Sequence, residues 1–345
     1  MIEASGREKI ICTAMLSDAD EIMEFIASEW KQNHILSKDK DFFLYEYANG
    51  DALNFVISKS EGKINGILGF LKSSLDGNST IWTTMWMVSK SNGSPTLGLR
   101  MLSYLQSQGY KSVMSSGINP ATEEIYKYLG FHVGELGHYY IPNWTLEAYS
   151  IAKFNKKNID VSRSHQKPTN LIFKKVTVQE LKHSFKFTKF TNKTPRKDFE
   201  YFKKRFFEHP IYNYEVYGVI EGAEILSLLV VRLVRCGTSS CLRVVDFYGQ
   251  EETFGIHASN LCKKMFAEGH EYIDILTFGL SDHLLRNSGF NRLDHLQSEI
   301  VVPNLFEPFV QKNVKVFFFS NIENLADQRI YKADGDQDRP SLMGL

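Results

Sequence analysis

The sequence predicts an α/β fold of the α+β type with mixed sheets, built twice in tandem. Three observations carry this. Residues 81–131 read as apolar strand, small polar turn, helix, strand and capped helix. An order of strand, helices, antiparallel strands, helix, strand and helix fills the first 150 residues and starts again after residue 170. The copies align over 109–131 and 269–290, where each runs helix end, strand, helix and Gly-Phe (Gly130-Phe131, Gly289-Phe290). At 345 residues, 43% hydrophobic and 23% charged, the chain is long enough for two cores. We expect a first domain at 1–150, a polar, basic linker with Pro168 at 151–170, and a second domain at 171–345 with a substrate-binding tail.

Taken in order, residues 9–14 form a strand and Ser17 caps a helix. Its apolar stripe is Ile22, Phe25, Ile26 and Trp30, with Asp18, Asp20 and Glu21 favouring its N-terminal end. Residues 41–48 are helical, and 55–58 and 64–71 make a hairpin across Glu61-Gly62. In strand 81–88, Trp82 and Trp86 fall on one face as core residues. Helix 96–108 buries Leu97, Met101, Tyr104 and Leu105, and strand 111–118 follows. Asn119 is an N-cap, with Pro120 first in the helix and Glu123 and Glu124 in its first turn. In the second half, strands are expected at 171–176, 214–220, 225–234, 242–248 and 272–278, with helices at 179–185, 197–207 and 254–267.

Forty basic residues balance forty acidic ones, so no general field favours a nucleic-acid backbone. No run is long and apolar enough to span a bilayer and the N-terminus lacks a secretory core, so a cytoplasmic protein without membrane insertion is expected. Cys12, Cys236, Cys241 and Cys262 are scattered without a Cys-x-x-Cys pair, which argues against zinc. Cys236 and Cys241 flank a hairpin turn and stay thiols in a reducing compartment. The tail Asp334-Gly335-Asp336-Gln337-Asp338-Arg339-Pro340 alternates carboxylates like a calcium loop. Arg339 and Leu345 stand where such a loop needs glycine and glutamate, so no metal is expected. The tail is either a frayed end or a ligand clamp, with Arg339 on a phosphate and Asp336 and Asp338 accepting sugar hydroxyls.

The turn 89–95 feeds a helix whose first N–H groups point outward at the positive end of its dipole, a ready site for phosphate. Asn92, Gly93 and Ser94 are small enough to admit an anion. The bland reading is an ordinary strand-to-helix connection of turn formers.

With its Tyr126-Lys127-Tyr128-Leu129-Gly130-Phe131 ending, this succession resembles the GNAT superfamily of acyl-CoA-dependent N-acyltransferases. The loop Gly93-Ser94-Pro95-Thr96-Leu97-Gly98 keeps only the final glycine of the family pattern, and Thr96 stands where a glycine is usual. The resemblance implies that Val88, Asn92, Gly93, Ser94, Thr96, Leu97, Gly98 and Asn119 hold CoA. It also implies that a backbone N–H near Trp86 or Met87 polarises the thioester carbonyl, and that Tyr126 protonates the departing thiolate. Tyr126 reads equally as a core aromatic. No acid or histidine interrupts 81–88, so a base comes from elsewhere or from water; Asp246, His34 and His283 are candidates. Acyl-CoA is a co-substrate, and no tightly bound cofactor is expected.

In the second half Gln250-Glu251-Glu252 replaces the small turn, with two carboxylates that repel a pyrophosphate, and Leu285 stands in place of Tyr126. That half is expected to bind substrate or serve structure. The pairing resembles tandem-domain sugar N-acyltransferases that acylate nucleotide-linked (dTDP) amino sugars for surface polysaccharide such as the lipopolysaccharide O-antigen. It implies direct attack of a sugar amine on an acetyl- or short hydroxyacyl-CoA, by a monomer or homodimer. A Fem-type aminoacyl transferase and a non-catalytic metabolite sensor are the rival readings.

Overall fold

Turn chemistry and strand alternation build the first sheet. The computed structural model describes residues 10–75, 80–91, 94, 96–154, 170–296 and 299–341. The first half runs β1 (Ile10–Met15), α1 (Ala19–Glu29), α2 (Ile35–Lys38), α3 (Lys40–Tyr47), β2 (Ala48–Asn49), β3 (Ala52–Ser60), β4 (Lys63–Lys72) and β5 (Thr80–Val88). It continues with α4 (Leu97–Gln106), β6 (Ser112–Ser116), α5 (Glu123–Tyr128), β7 (His132–Glu135) and β8 (Gly137–Pro142). The β3–β4 hairpin closes on Glu61 and Gly62, both at positive φ (55° and 76°), the conformation a two-residue hairpin loop demands. Ser17 does not cap α1; the turn before the helix is closed by Asp18, which accepts from Met15 N at 2.8 Å. Asp39 caps α3 through Phe42 N at 2.9 Å.

The second half repeats the order: β9 (Ile172–Lys175), α6 (Val178–Ser184), α7 (Phe199–Phe202), β10 (Tyr214–Glu221), β11 (Glu224–Cys236), β12 (Ser239–Gly249) and α8 (Phe254–Glu268). Then come β13 (Tyr272–Phe278), α9 (Asp282–Asn287), β14 (Asn291–Arg292), β15 (Leu305–Phe306), β16 (Phe309–Val310), β17 (Phe317–Ser320) and β18 (Ile330–Tyr331). One sheet has the strand order β1-β3-β4-β5-β6-β17-β7, with β2 on β3; the other is β9-β10-β11-β12-β13-β8-β14, with β18 on β13. The orders match place for place, and β17 and β8 are exchanged between halves. The crossing connections touch, Leu136 N donating to Val316 O at 2.9 Å. A division of the chain between 150 and 171 therefore runs across both sheets. Most of the expected linker, 155–169, lies outside the described residues. Its first residues are packed: Ile151 and Ala152 are buried, and their N–H groups donate to Glu271.

Alternating residues of the first sheet face two cores. Phe55, Ile57 and Ile67 pack under α1 and α3 with Ile22, Ile26, Phe42 and Phe43. Val56, Leu68 and Ile81 pack under α4 with Leu97, Met101 and Leu105. A third cluster, Trp82, Met114 and Phe318 with Leu276 and Ile330, joins the two sheets.

Candidate functional site

The site grows from one irregularity in β5. Parallel pairing with β6 spans only Thr80–Trp82 against Ser112–Met114. Thr83 Oγ1 to Met114 O (3.3 Å) and Ser115 Oγ to Thr83 O (3.1 Å) prolong the join by one residue. Beyond it no described strand pairs with that edge of β5. On the β4 side, Leu68 faces Trp86 and Gly69 faces Thr84, so Met85 is the extra residue of a bulge, at φ 28°. The extra residue reverses the alternation. Trp82 and Trp86 therefore lie on opposite faces, not on one as expected: Trp82 enters the cluster between the sheets and Trp86 turns to α4.

The α4 side holds most of the expected cofactor residues. No side chain caps α4; Leu97 N bonds to Ser94 O at 3.0 Å, and the Ser94 and Thr96 hydroxyls share a 3.3 Å bond. The other N–H groups of its first turn thus have no side-chain cap. Leu97 is fully buried in the core, so its side chain is no CoA contact. At Gly98 a Cβ would stand 3.1 Å from Trp86 Nε1, so this glycine lets α4 settle on the indole. Asn92 and Gly93 lie outside the described residues. Val88 closes β5 opposite Gly66. Ser89 Oγ and Lys90 N are tied to Glu29 at 2.9 and 3.4 Å, fixing the start of the turn. Asn119 caps the next helical turn, its Oδ1 accepting from Ala121 N at 3.0 Å.

Tyr126 is buried beside this gap, its ring 6.0 Å from Trp86 and 4.3 Å from Phe319. Burial raises its pKa, against a smaller opposing pull from a hydrogen bond with Thr122. The hydroxyl is protonated at neutral pH.

On the opposite face the bulge meets α3 and the tail. Tyr47 OH bonds Thr84 Oγ1 and accepts from Arg339 Nη1, both at 3.0 Å, and Arg339 Nη2 lies 3.5 Å from Met85 Sδ. Asp336 pairs with Arg339 at 3.2 Å. His34 caps α2 through Leu36 N at 3.2 Å; burial, then the nearby Arg339 charge, holds its pKa down to about 3. It is a neutral cap and too weak a base for the role assigned to it. The tail is neither frayed nor an open clamp. Asp338 is 1% exposed and accepts from Arg232 Nε and Nη2 (3.0 and 2.6 Å) and from Tyr214 OH (3.0 Å), so it has no capacity left for a sugar. Gln337 Nε2 reaches Ser116 O at 3.1 Å, and Ser341 O accepts from Ile35 N. Arg339 is likewise engaged inside the protein. Such a block is ordered because its polar groups find partners elsewhere in the protein.

The matching gap in the second half is closed. β12 pairs with β13 only over Leu242–Val244 and Ile273–Ile275, and β18 then takes the vacated place: Thr277 and Phe278 pair with Tyr331 and Ile330, and Ala333 N bonds Val245 O. Glu251 is neutralised by Lys193 and Arg329 at 2.6 and 2.7 Å, so what distinguishes this gap from the first is occupation by the chain's own backbone more than carboxylate repulsion. Asp246 is fully buried, its oxygens 2.8 and 2.7 Å from Lys197, which also meets Asp334 at 2.9 Å. Burial raises its pKa to about 6, Lys197 opposing. It is a structural ion, not a base for the first half. His283 is exposed on α9 against its neighbour Asn287, and Leu285 is core.

Tyr47, Thr84 and Met85 escape sequence reasoning. A bulge between two apolar residues leaves no compositional mark, and Tyr47 reads as one more aromatic on a short helix.

No protein-family model and no curated protein sequence matches the chain. Among solved structures, a GCN5-related N-acetyltransferase from Anabaena variabilis aligns with a TM-score of 0.57 at 10% identity, covering 93% of this chain and 74% of that one. A conserved protein of unknown function from Enterococcus faecalis, titled a probable N-acyltransferase, aligns at 0.57 and 9% identity with the same coverages, 93% and 74%. Such likeness speaks for the fold. The chain consists of two tandem GNAT-like folds.

Proposed function

We propose that the first half transfers an acyl group from acyl-CoA to a primary amine. The observation that carries this is the gap between β5 and β6 that no described strand fills, bordered by a bulge, an uncapped helix start and Tyr126. Pantetheine lies along the free edge of β5 and the pyrophosphate meets the first turn of α4. The amine attacks the thioester carbonyl. A backbone N–H after the bulge, near Trp86 or Met87, stabilises the oxyanion; the C–S bond then breaks and Tyr126 protonates the thiolate. β5 carries no base, so the amine proton passes to water.

The acceptor we carry forward is a nucleotide-linked (dTDP) amino sugar, supported by the tandem architecture alone. The Fem-type and sensor readings differ in outcome. Acetyl-CoA and a panel of amines, followed with a thiol-detecting dye, should release CoA only when an acceptor is present. Binding without release on any amine would favour a sensor, and release dependent on aminoacyl-tRNA would favour the Fem type.

A further inference from the structure

Where the two halves exchange strands, a cavity of about 440 Å³ opens beside β7, α9 and β14. Its charged lining is Glu135 at the end of β7, Arg286 on α9, Arg292 on β14, Asp294 and His295 just after it, and Lys315 ahead of β17. Three cations and two carboxylates line it, and Asp282, paired with Arg286, makes the carboxylates three. Arg286 is answered by Asp282 at 2.5 Å and Lys315 by Glu135 at 2.8 Å. Arg292 makes no ion pair within 4 Å among the described residues; its guanidinium lies 5.9 Å over the Tyr139 ring. The His295 side chain is only 10% exposed, yet among the described residues neither ring nitrogen has a hydrogen-bond partner, and its ion-pair contact, Nε2 to Glu135 Oε1, is a long 3.7 Å. A largely buried imidazole without a hydrogen bond, beside an arginine without an ion pair among the described residues, leaves room for an external hydrogen-bonding group, and an anion there would answer Arg292 as well.

Position adds to the chemistry. Glu135 pairs with Phe317, whose carbonyl accepts from Gly117 N at 2.7 Å, so the cavity lies level with the open end of β6. Two strand steps of roughly 4.8 Å separate Glu135 from β6, and a third reaches β5. The volume suits a small-molecule ligand.

We propose that this cavity binds the phosphates of a nucleoside diphosphate group and so anchors the acceptor between the halves. As an acceptor subsite it rests on the acyl-transfer reading; as an anion site it does not. Arg292 supplies the bidentate guanidinium, Lys315 a point charge and His295 a hydrogen bond.

The test is calorimetry on the full chain with dTDP and with inorganic pyrophosphate, each under saturating acetyl-CoA so that the helix start in the first half is occupied. Both probes should bind, dTDP more tightly. Arg292→Glu and Lys315→Gln should each weaken dTDP at least about tenfold, with acetyl-CoA affinity unchanged and Arg292→Lys recovering part of the loss. Equal affinity for the probes would keep the phosphate site and overturn the nucleotide as its source. No binding of either probe, or binding that neither variant moves, would overturn the site. If dTDP binds and acetyl-CoA does not, the acyl-transfer reading falls and the anion site stands.

Discussion

Replacing Asp338 by Asn removes one charge from the most heavily bonded residue of the tail. Its carboxylate holds Arg232, whose side chain is only 11% exposed, through two hydrogen bonds, and receives a third from Tyr214. Unpairing a buried ion by removing its partner costs about 3–5 kcal/mol. Here the lower figure applies, because the asparagine oxygen still accepts one bond and the guanidinium keeps its stacking on Tyr212, 4.1 Å from the ring centroid. With a urea m-value of about 3 kcal/mol/M or more for a chain of this size, a loss of about 3 kcal/mol should move the midpoint down by up to about 1 M. Trp82, which lies against Gly335, gives a fluorescence signal from the same junction. The pH dependence adds a second check. Burial raises the Asp338 pKa, but Arg232 outweighs it and holds the carboxyl well below its ordinary value of 3.8. A depressed pKa adds stability above the unfolded value and loses it as pH falls below about 4. The difference between wild type and Asp338→Asn should therefore be constant from pH 8 to 5 and shrink below pH 4. A midpoint shift under about 0.2 M, or a difference that grows on acidification, would refute this reading of the tail.

Ser94→Glu should weaken acetyl-CoA at least about tenfold by setting a carboxylate beside the first turn of α4, whereas Gln250→Glu should leave it unchanged; titration of both variants checks this. Gly249 is unsuitable as the matching control, since a Cβ there would stand 2.5 Å from Ser227 Cα. Tyr126→Phe should lower kcat by about 10²- to 10⁴-fold with little change in acetyl-CoA affinity, and unchanged turnover would return the residue to the core. Lys197→Met leaves Asp246 and Asp334 buried without their cation and should cost about 3–5 kcal/mol near pH 7. Desolvation then raises both carboxyl pKa values further, so the loss should diminish as pH falls and they take up protons; thermal melts across pH 5–8 measure it.

Much of the fold is legible in the residues. The hairpin at Glu61-Gly62, the Asn119 cap and the paired Gly-Phe signatures are local, and turn and capping chemistry depends on the residues that carry it. The exchange of β8 and β17 is invisible because strands of like composition fit either sheet, and pairing partners are chosen by tertiary contacts. The same holds for β18, where Tyr331 and Ala333 close the second gap. The candidate site is legible in part. Tyr126 and the start of α4 follow from register, but the Met85 bulge is a backbone event among apolar residues. The tail misleads because Asp336, Asp338 and Arg339 look solvent-seeking one by one. Their partners Arg232, Tyr214 and Tyr47 lie far away in sequence, and only the fold brings them together.

The central claim is that one gap accepts acyl-CoA and its counterpart is filled by the chain itself. The stoichiometry of acetyl-CoA binding to the whole protein, by isothermal titration calorimetry, tests it most directly. One molecule per chain is expected. Two would mean that β18 yields its place, and none at millimolar concentrations would contradict the account.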